Sequence, residues 1–147
     1  MTPEEKARQK IDQWFSDAGW KVVDRDEYEP TCTAVAIREG LLKGNLEADY
    51  FLFINGKAVG VLEAKREETD AFSDKVCNQA VLYARNVPKI YQTYQKPLPF
   101  IFTSNGKDLY FCDFRKQDSC FNQIMTIPTP YELVKLLGIN DYFAGLP

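Results

Sequence analysis

The stretch EADYFLFINGKAVGVLEAK, residues 47–65, constrains the fold more than any other part of the chain. Two largely apolar runs flank Asn55-Gly56, a residue pair that tolerates the positive φ angles of a tight hairpin turn. The segment therefore reads as two antiparallel strands. Charge enters where those strands end: Asp49 near the start of the first, Glu63 and Lys65 at the close of the second, with Arg66, Glu67 and Glu68 behind them. Residues two apart in a strand share a face, so Glu63 and Lys65 point the same way and Ala64 turns to the other side.

Whether Asp49 joins them depends on the turn. A strict two-residue loop pairs Ile54 with Lys57 and Asp49 with Leu62, which turns Asp49 away from Glu63. A three-residue loop, Ile54-Asn55-Gly56, pairs Phe53 with Lys57 and sets Asp49 against Val61. Glu63 then lies one diagonal step away on the same face, about 7–8 Å between α-carbons. A bulge in either strand has the same effect. The expectation is that the simple two-residue turn is not used.

On a shared face the chemistry follows. Two carboxylates a few ångströms apart repel, and a divalent cation relieves the repulsion. Oxygen ligands select Mg²⁺ or Mn²⁺ over zinc. A neighbouring ammonium orients a water nucleophile or steadies charge building on a phosphate. Asp…Glu-x-Lys at paired strand ends is thus a minimal phosphodiesterase site, although the spacing alone also arises by chance in charged proteins.

The flanking segments place this hairpin between helices. In MTPEEKARQKIDQWFSDAGW, Thr2 and Glu5 form a capping box and Pro3 suits the first helical position. Ala7, Ile11, Trp14, Phe15 and Ala18 repeat at helical spacing up to Gly19. WKVVD (20–24) and AVAIRE (34–39) read as strands separated by a polar loop. A helix capped by Ser73 carries Val76, Ala80 and Ala84 in one stripe. Gln79 and Tyr83, four apart, project from one face of it: either an ordinary half-exposed surface, or a group that hydrogen-bonds phosphate and stacks on a base. PLPFIFTSNGKDLYFCDF reads as a second strand pair, with a turn at Asn105-Gly106, and TPYELVKLLG (129–138) as a short capped helix. The expected order is α, β, β, β, β, α, β, β, α.

Composition narrows the chemistry. The 147 residues suit one domain with a single core, and 45% hydrophobic content marks a folded chain. The absence of histidine removes imidazole acid/base chemistry, Ser-His and Cys-His nucleophile pairs, and His metal ligands. Cys32, Cys77, Cys112 and Cys120 form no C-x-x-C pair, so a zinc site is disfavoured and buried reduced thiols are expected. No apolar run approaches the roughly 20 residues of a membrane helix. The N-terminus lacks the apolar core of a signal peptide, which favours a cytoplasmic location. A net charge of −3 neither marks nor excludes a nucleic-acid partner, because carboxylates gathered for metal binding offset a local basic patch.

Taken in order, GNLEADYFLF, GVLEAKRE, NQAVLYA and LPFIFTSNG resemble the N-terminal nuclease domain of the type I restriction enzyme R (motor and endonuclease) subunit. ARQKIDQWFSDAGWKVVDRD is similar to the opening helix and Gly-Trp turn of that family. The resemblance covers almost the whole chain. It implies a restriction-endonuclease-like PD-(D/E)xK core of the RecB-like branch, a mixed central β-sheet flanked by helices. It implies that Asp49 and Glu63 bind the metal with the Ala64 carbonyl as a further ligand. Lys65 would be the catalytic lysine, and Gln79 and Tyr83 the Q-x-x-x-Y pair that supports the metal or the DNA backbone. Superfamily members often use another Glu on the first helix; Glu4 and Glu5 are candidates, as is Glu47 on the strand of Asp49, although the capping box accounts for Glu5 without catalysis.

The resemblance further implies an Mg²⁺- or Mn²⁺-dependent endonuclease acting on double-stranded DNA, with methylation and specificity subunits as partners. Residues 1–147 would be a single nuclease domain, the N-terminal fragment of a larger subunit. ATP would serve only motor domains outside these residues, which hold no G-x-x-x-x-G-K-[ST] loop. Arg38, Lys43, Arg66, Arg85 and Lys89 are candidate phosphate contacts, with solvated surface charge as the simpler account. Two other readings stay open: a non-catalytic module that keeps the fold for DNA or subunit contact, and a stand-alone small nuclease.

Overall fold

The structure, a computed structural model, describes residues 1–29, 33–41 and 47–138; for 39–41 and 47 only the backbone is considered. Among these residues the elements are α1 (Pro3–Asp17), β1 (Lys21–Asp24), a 3₁₀ turn (Arg25–Glu27), β2 (Ala34–Leu41), β3 (Glu47–Ile54), β4 (Lys57–Ala64), α2 (Asp74–Arg85), β5 (Gln92–Thr93), β6 (Phe100–Ser104), β7 (Leu109–Asp113), β8 (Asn122–Ile124) and α3 (Pro130–Leu137). The expected order holds, with two short additions, β5 and β8. Neither two nor three residues can carry a legible alternation.

The strands form one mixed sheet in the order β1-β2-β3-β4-β6-β7-β8, with β5 beside β4. β1 runs parallel to β2, and β6 parallel to β4, while the other neighbours along the path are antiparallel. Central strands β3, β4 and β6 are apolar on both faces because helices cover both. On one face Ile11 and Phe15 of α1 and Leu133 and Val134 of α3 pack against Tyr50, Leu52, Leu62, Phe100 and Phe102. On the other, Ala80, Tyr83 and Ala84 of α2 pack against Phe51, Phe53, Val61 and Ile101. A parallel β4–β6 pair demands a crossover, and the segment containing α2 supplies it.

The helix starts follow the sequence signals. Thr2 and Glu5 form the capping box of α1, Ser73 accepts from the Val76 N–H at the head of α2, and Thr129 and Glu132 cap α3. Of the three described cysteines only Cys112 is buried, and all three are free thiols; burial was expected of each.

The turn is where the structure departs from expectation. Ile54 does pair with Lys57 and Phe53 with Ala58, so Asn55-Gly56 is a two-residue loop, with φ of 51° and 79° at its two residues. Parity is instead corrected inside the strands. The register shifts between Leu52 and Phe53, so that Leu52 pairs with Gly60 and Tyr50 with Leu62. One extra residue in β4, at Val59, forms the bulge. Val59 and Leu62 thus belong to the α1 side of the sheet, and Ala58 and Val61 to the α2 side.

Candidate active site

The bulge decides where the carboxylates go. Continuing the Tyr50–Leu62 register by one residue sets Asp49 directly against Glu63. Directly opposed residues share a face. The start of β3 and the end of β4 therefore bring the two carboxyl groups together, closer than the diagonal placement that a three-residue loop would give. Asp49 Oδ2 accepts the Ala64 N–H at 2.8 Å, which fixes its carboxylate across the end of β4.

Glu63 is 4% exposed. Its pKa is pushed up to about 9, first because burial disfavours the charge, then because Asp49 accepts its proton and repels its charged form; Lys65 and Tyr83 pull the other way. Lys65 Nζ lies 3.7 Å from Glu63 Oε1. The other oxygen, Oε2, is buried and forms no hydrogen bond of good geometry among the described residues, although Tyr83 stands near enough to influence the proton. A sealed, unsatisfied carboxylate oxygen is costly unless something else completes it.

The α2 pair completes the α2 side of the site. Gln79 Nε2 donates to the Tyr83 hydroxyl at 2.9 Å. That bond takes an acceptor position on the phenol oxygen and leaves its proton to point elsewhere. Burial, followed by the charge of Glu63, raises the Tyr83 pKa. Tyr83 is buried in the α2-side core, so it is not part of an ordinary half-exposed helical face, and its hydroxyl lies near Glu63.

On the α1 side the structure adds residues that the sequence pattern did not single out. Arg8 pairs with Asp49 Oδ1 at 2.5 Å. Asp12, one turn on, accepts the Tyr50 hydroxyl at 2.5 Å and pairs with Arg38, which also meets Asp24. Glu4 and Glu5, the helix-borne candidates, are both exposed, and Glu5 is engaged in the capping box. Glu5 nevertheless borders the same cavity as Arg8 and Asp49, but neither glutamate makes a group of three acidic residues with Asp49 and Glu63 among the described residues. The side chain of Glu47 and all of Lys43 lie outside what is described.

Among the remaining basic candidates, Arg66 pairs with Glu68, Arg85 lies over the Phe114 ring, and Lys89 is exposed. The segment leaving Lys65 is held from below. The Asn105 side chain donates to the carbonyls of Glu67 and Thr69, and the Thr103 hydroxyl donates to Ala71. Lys65 N–H itself donates to the Ser104 carbonyl at 2.8 Å. Thr103, Ser104 and Asn105 therefore fix the exit of β4 and with it the direction of Lys65.

As a donor set, two opposed carboxylates suit a hard divalent cation, and the unsatisfied Glu63 oxygen gives it a place. Among the described residues no third Asp, Glu or Cys converges with them. Mg²⁺ commonly takes one or two carboxylates and completes its shell with waters and substrate phosphate, so two carboxylates suffice as protein ligands for it.

A mixed sheet covered by helices on both faces, with Asp…Glu-x-Lys at paired strand ends, defines a restriction-endonuclease-like fold. The family model for the type I restriction enzyme R protein N terminus (HSDR_N) matches residues 35–119, more than half of the chain, and the chain belongs to that family. Among solved structures, it is similar to the fragment structure of an HsdR subunit of a type I restriction enzyme from Vibrio vulnificus YJ016. The TM-score is 0.61 at 23% identity, covering 96% of this chain and 27% of that one. It is also similar to the type IIG restriction endonuclease BpuSI, with a TM-score of 0.50 at 20% identity over 75% of this chain and 11% of that one. At such identities the likeness is one of fold, and the chain spans about a quarter or less of either protein. No curated protein matches it.

Proposed function

We propose that this chain is the nuclease domain of a type I restriction R subunit, a metal-dependent endonuclease that hydrolyses phosphodiester bonds in double-stranded DNA. The observation that carries the reading is the bulge-set opposition of Asp49 and Glu63, with Lys65 beside them and one Glu63 oxygen unsatisfied. Asp49, Glu63 and the Ala64 carbonyl would hold Mg²⁺ or Mn²⁺. When bound, the cation supplies Lewis-acid stabilisation of the charge that builds on the phosphate oxygens. Lys65 brings an ammonium to the same point, where it orients the attacking water and offsets developing negative charge. Gln79 holds the Tyr83 oxygen, and so directs the phenol proton towards Glu63 or a phosphate oxygen. Nothing in this machinery reads bases, which suits a reaction whose target is chosen by another subunit. Methylation and specificity subunits, and an ATP-driven motor elsewhere in the subunit, belong to the same proposal.

Nicking of supercoiled DNA with Mg²⁺ or Mn²⁺ tests it, using the domain and the full R subunit in its complex. Glu63→Ala and Lys65→Ala are each expected to lower the rate by at least about a hundredfold, the usual cost of removing one preorganised group. Undiminished cleavage by either variant overturns the site assignment.

A further inference from the structure

Asp49 has two oxygens and both are engaged. Oδ2 accepts the Ala64 N–H, and Oδ1 is bound to the guanidinium of Arg8, which reaches across from α1. Glu63 presents the opposite picture, with one oxygen unsatisfied. The metal site is thus half ready and half claimed by a cation that the protein supplies itself.

Charge makes the two occupants exclusive. A divalent ion between Asp49 and Glu63 would stand a few ångströms from the Arg8 guanidinium, and like charges at that range repel strongly in a partly dry site. Arg8 has somewhere to go. Its side chain is 38% exposed against 11% for Asp49, and it borders a cavity of about 350 Å³ lined by Gln9, Asp12, Asp49 and Tyr50. Lys65 differs in its grip rather than in its charge: its 3.7 Å contact to Glu63 is longer than a hydrogen bond, so no such bond has to break for Glu63 to take a metal.

We propose that Arg8 is the resident counter-ion of Asp49 and competes with the divalent cation for it, so that this helix residue sets the metal affinity of the site. The inference rests on the metal-site reading above. It makes Arg8 a positioning residue: it keeps Asp49 in place across the end of β4 while no ion is bound, and it yields Oδ1 when one arrives.

Calorimetric titration of Mn²⁺ into the metal-free protein tests this without recourse to cleavage. Arg8→Met should bind Mn²⁺ about tenfold more tightly than wild type, because a charge-assisted hydrogen bond no longer has to be broken; the size is moderated by the partial solvation of Arg8. Arg8→Lys, which retains the charge, should stay within about threefold of wild type. Should Arg8→Met fail to fold, Arg8→Gln serves, with the same tightening expected. A side-chain ¹⁵N resonance of Arg8 that shifts on adding Mg²⁺ to wild type would show the exchange directly.

The two ideas fail differently. If Glu63→Ala abolishes Mn²⁺ binding but Arg8→Met leaves it unchanged or weaker, Arg8 is not a competitor and the metal site stands. If wild type binds no Mn²⁺ at all, the metal-site reading fails and the inference with it.

Discussion

Glu63 carries the largest physical tension among the site residues. Sealed from water and set against Asp49, it keeps its proton in the metal-free protein up to about pH 9, whereas an unhindered glutamate loses it near 4.5. Between those values the folded chain binds a proton that the unfolded chain has already released. The stabilisation is fully present below about pH 4.5 and is lost as pH rises through the folded value. Glu63→Gln removes the titration while keeping the shape. In thermal melts without divalent ions, the variant should match wild type near pH 5 and exceed it by several degrees near pH 8.5, a difference on the order of a kcal/mol or more. A pH-independent difference would remove the basis for this account. Residue roles were unevenly legible in the sequence. Glu63 with Lys65, and Gln79 with Tyr83, are visible because strand and helix periods say which residues share a face, and Asp49 is visible once the simple alternation is required to break. Arg8 and Asp12 are not, because α1 presents Glu4, Glu5, Lys6, Arg8, Gln9 and Asp12 on its polar side, and only its docking on the sheet selects which of them reach Asp49 and Tyr50. Asn105 reads as a turn residue; that its side chain also clamps the exit from Lys65 is a tertiary fact.

The hairpin carries the corresponding lesson for elements. The two strands, their turn and their charged ends follow from residues 47–65, as does the requirement that the simple alternation be broken. The break itself falls at Val59-Gly60 and not at Asn55-Gly56. A glycine inside an apolar strand is the available signal for a bulge or a close backbone approach, and Gly60 is both. It pairs with Phe100 of β6, and a β-carbon added there would come within 2.6 Å of the Phe100 carbonyl oxygen. Backbone cannot yield as a side-chain tip can. Gly60→Ala should therefore cost about 1–3 kcal/mol in urea unfolding and weaken Mn²⁺ binding, since Glu63 lies three residues further along the displaced strand. Gly138→Ala is the informative comparison: its φ of 71° strains an alanine, but nothing lies within 4 Å. It should cost about 1 kcal/mol and leave the metal response intact. Equal losses at the two positions would mean that the β4–β6 approach is not what Gly60 protects.

For the whole molecule, the site lies where three layers meet. Arg8 of α1 arrives from one side, Tyr83 of α2 from the other, and the opposed ends of β3 and β4 lie between them. A cation bound there would replace the Arg8 guanidinium at Asp49 and the proton on Glu63, joining the ends of β3 and β4 directly, so its binding should register as global stability. A ligand specific for the folded state contributes RT ln(1 + [L]/Kd), about 2.7 kcal/mol at a hundredfold excess over Kd. In a domain of this size that corresponds to a rise in Tm of roughly 5–10 °C. Wild type should show this rise with Mn²⁺, and Glu63→Ala should show none. Asp113→Asn separates a site effect from general fragility. Asp113 is paired with Arg115, which also donates to the Leu136 carbonyl at the end of α3, so this ion pair fastens α3 to β7, strands away from the two carboxylates. The variant should melt earlier than wild type yet keep the full Mn²⁺ increment. Loss of the increment in Asp113→Asn would mean that the cation acts on the fold at large, and retention of it in Glu63→Ala would place the ion elsewhere.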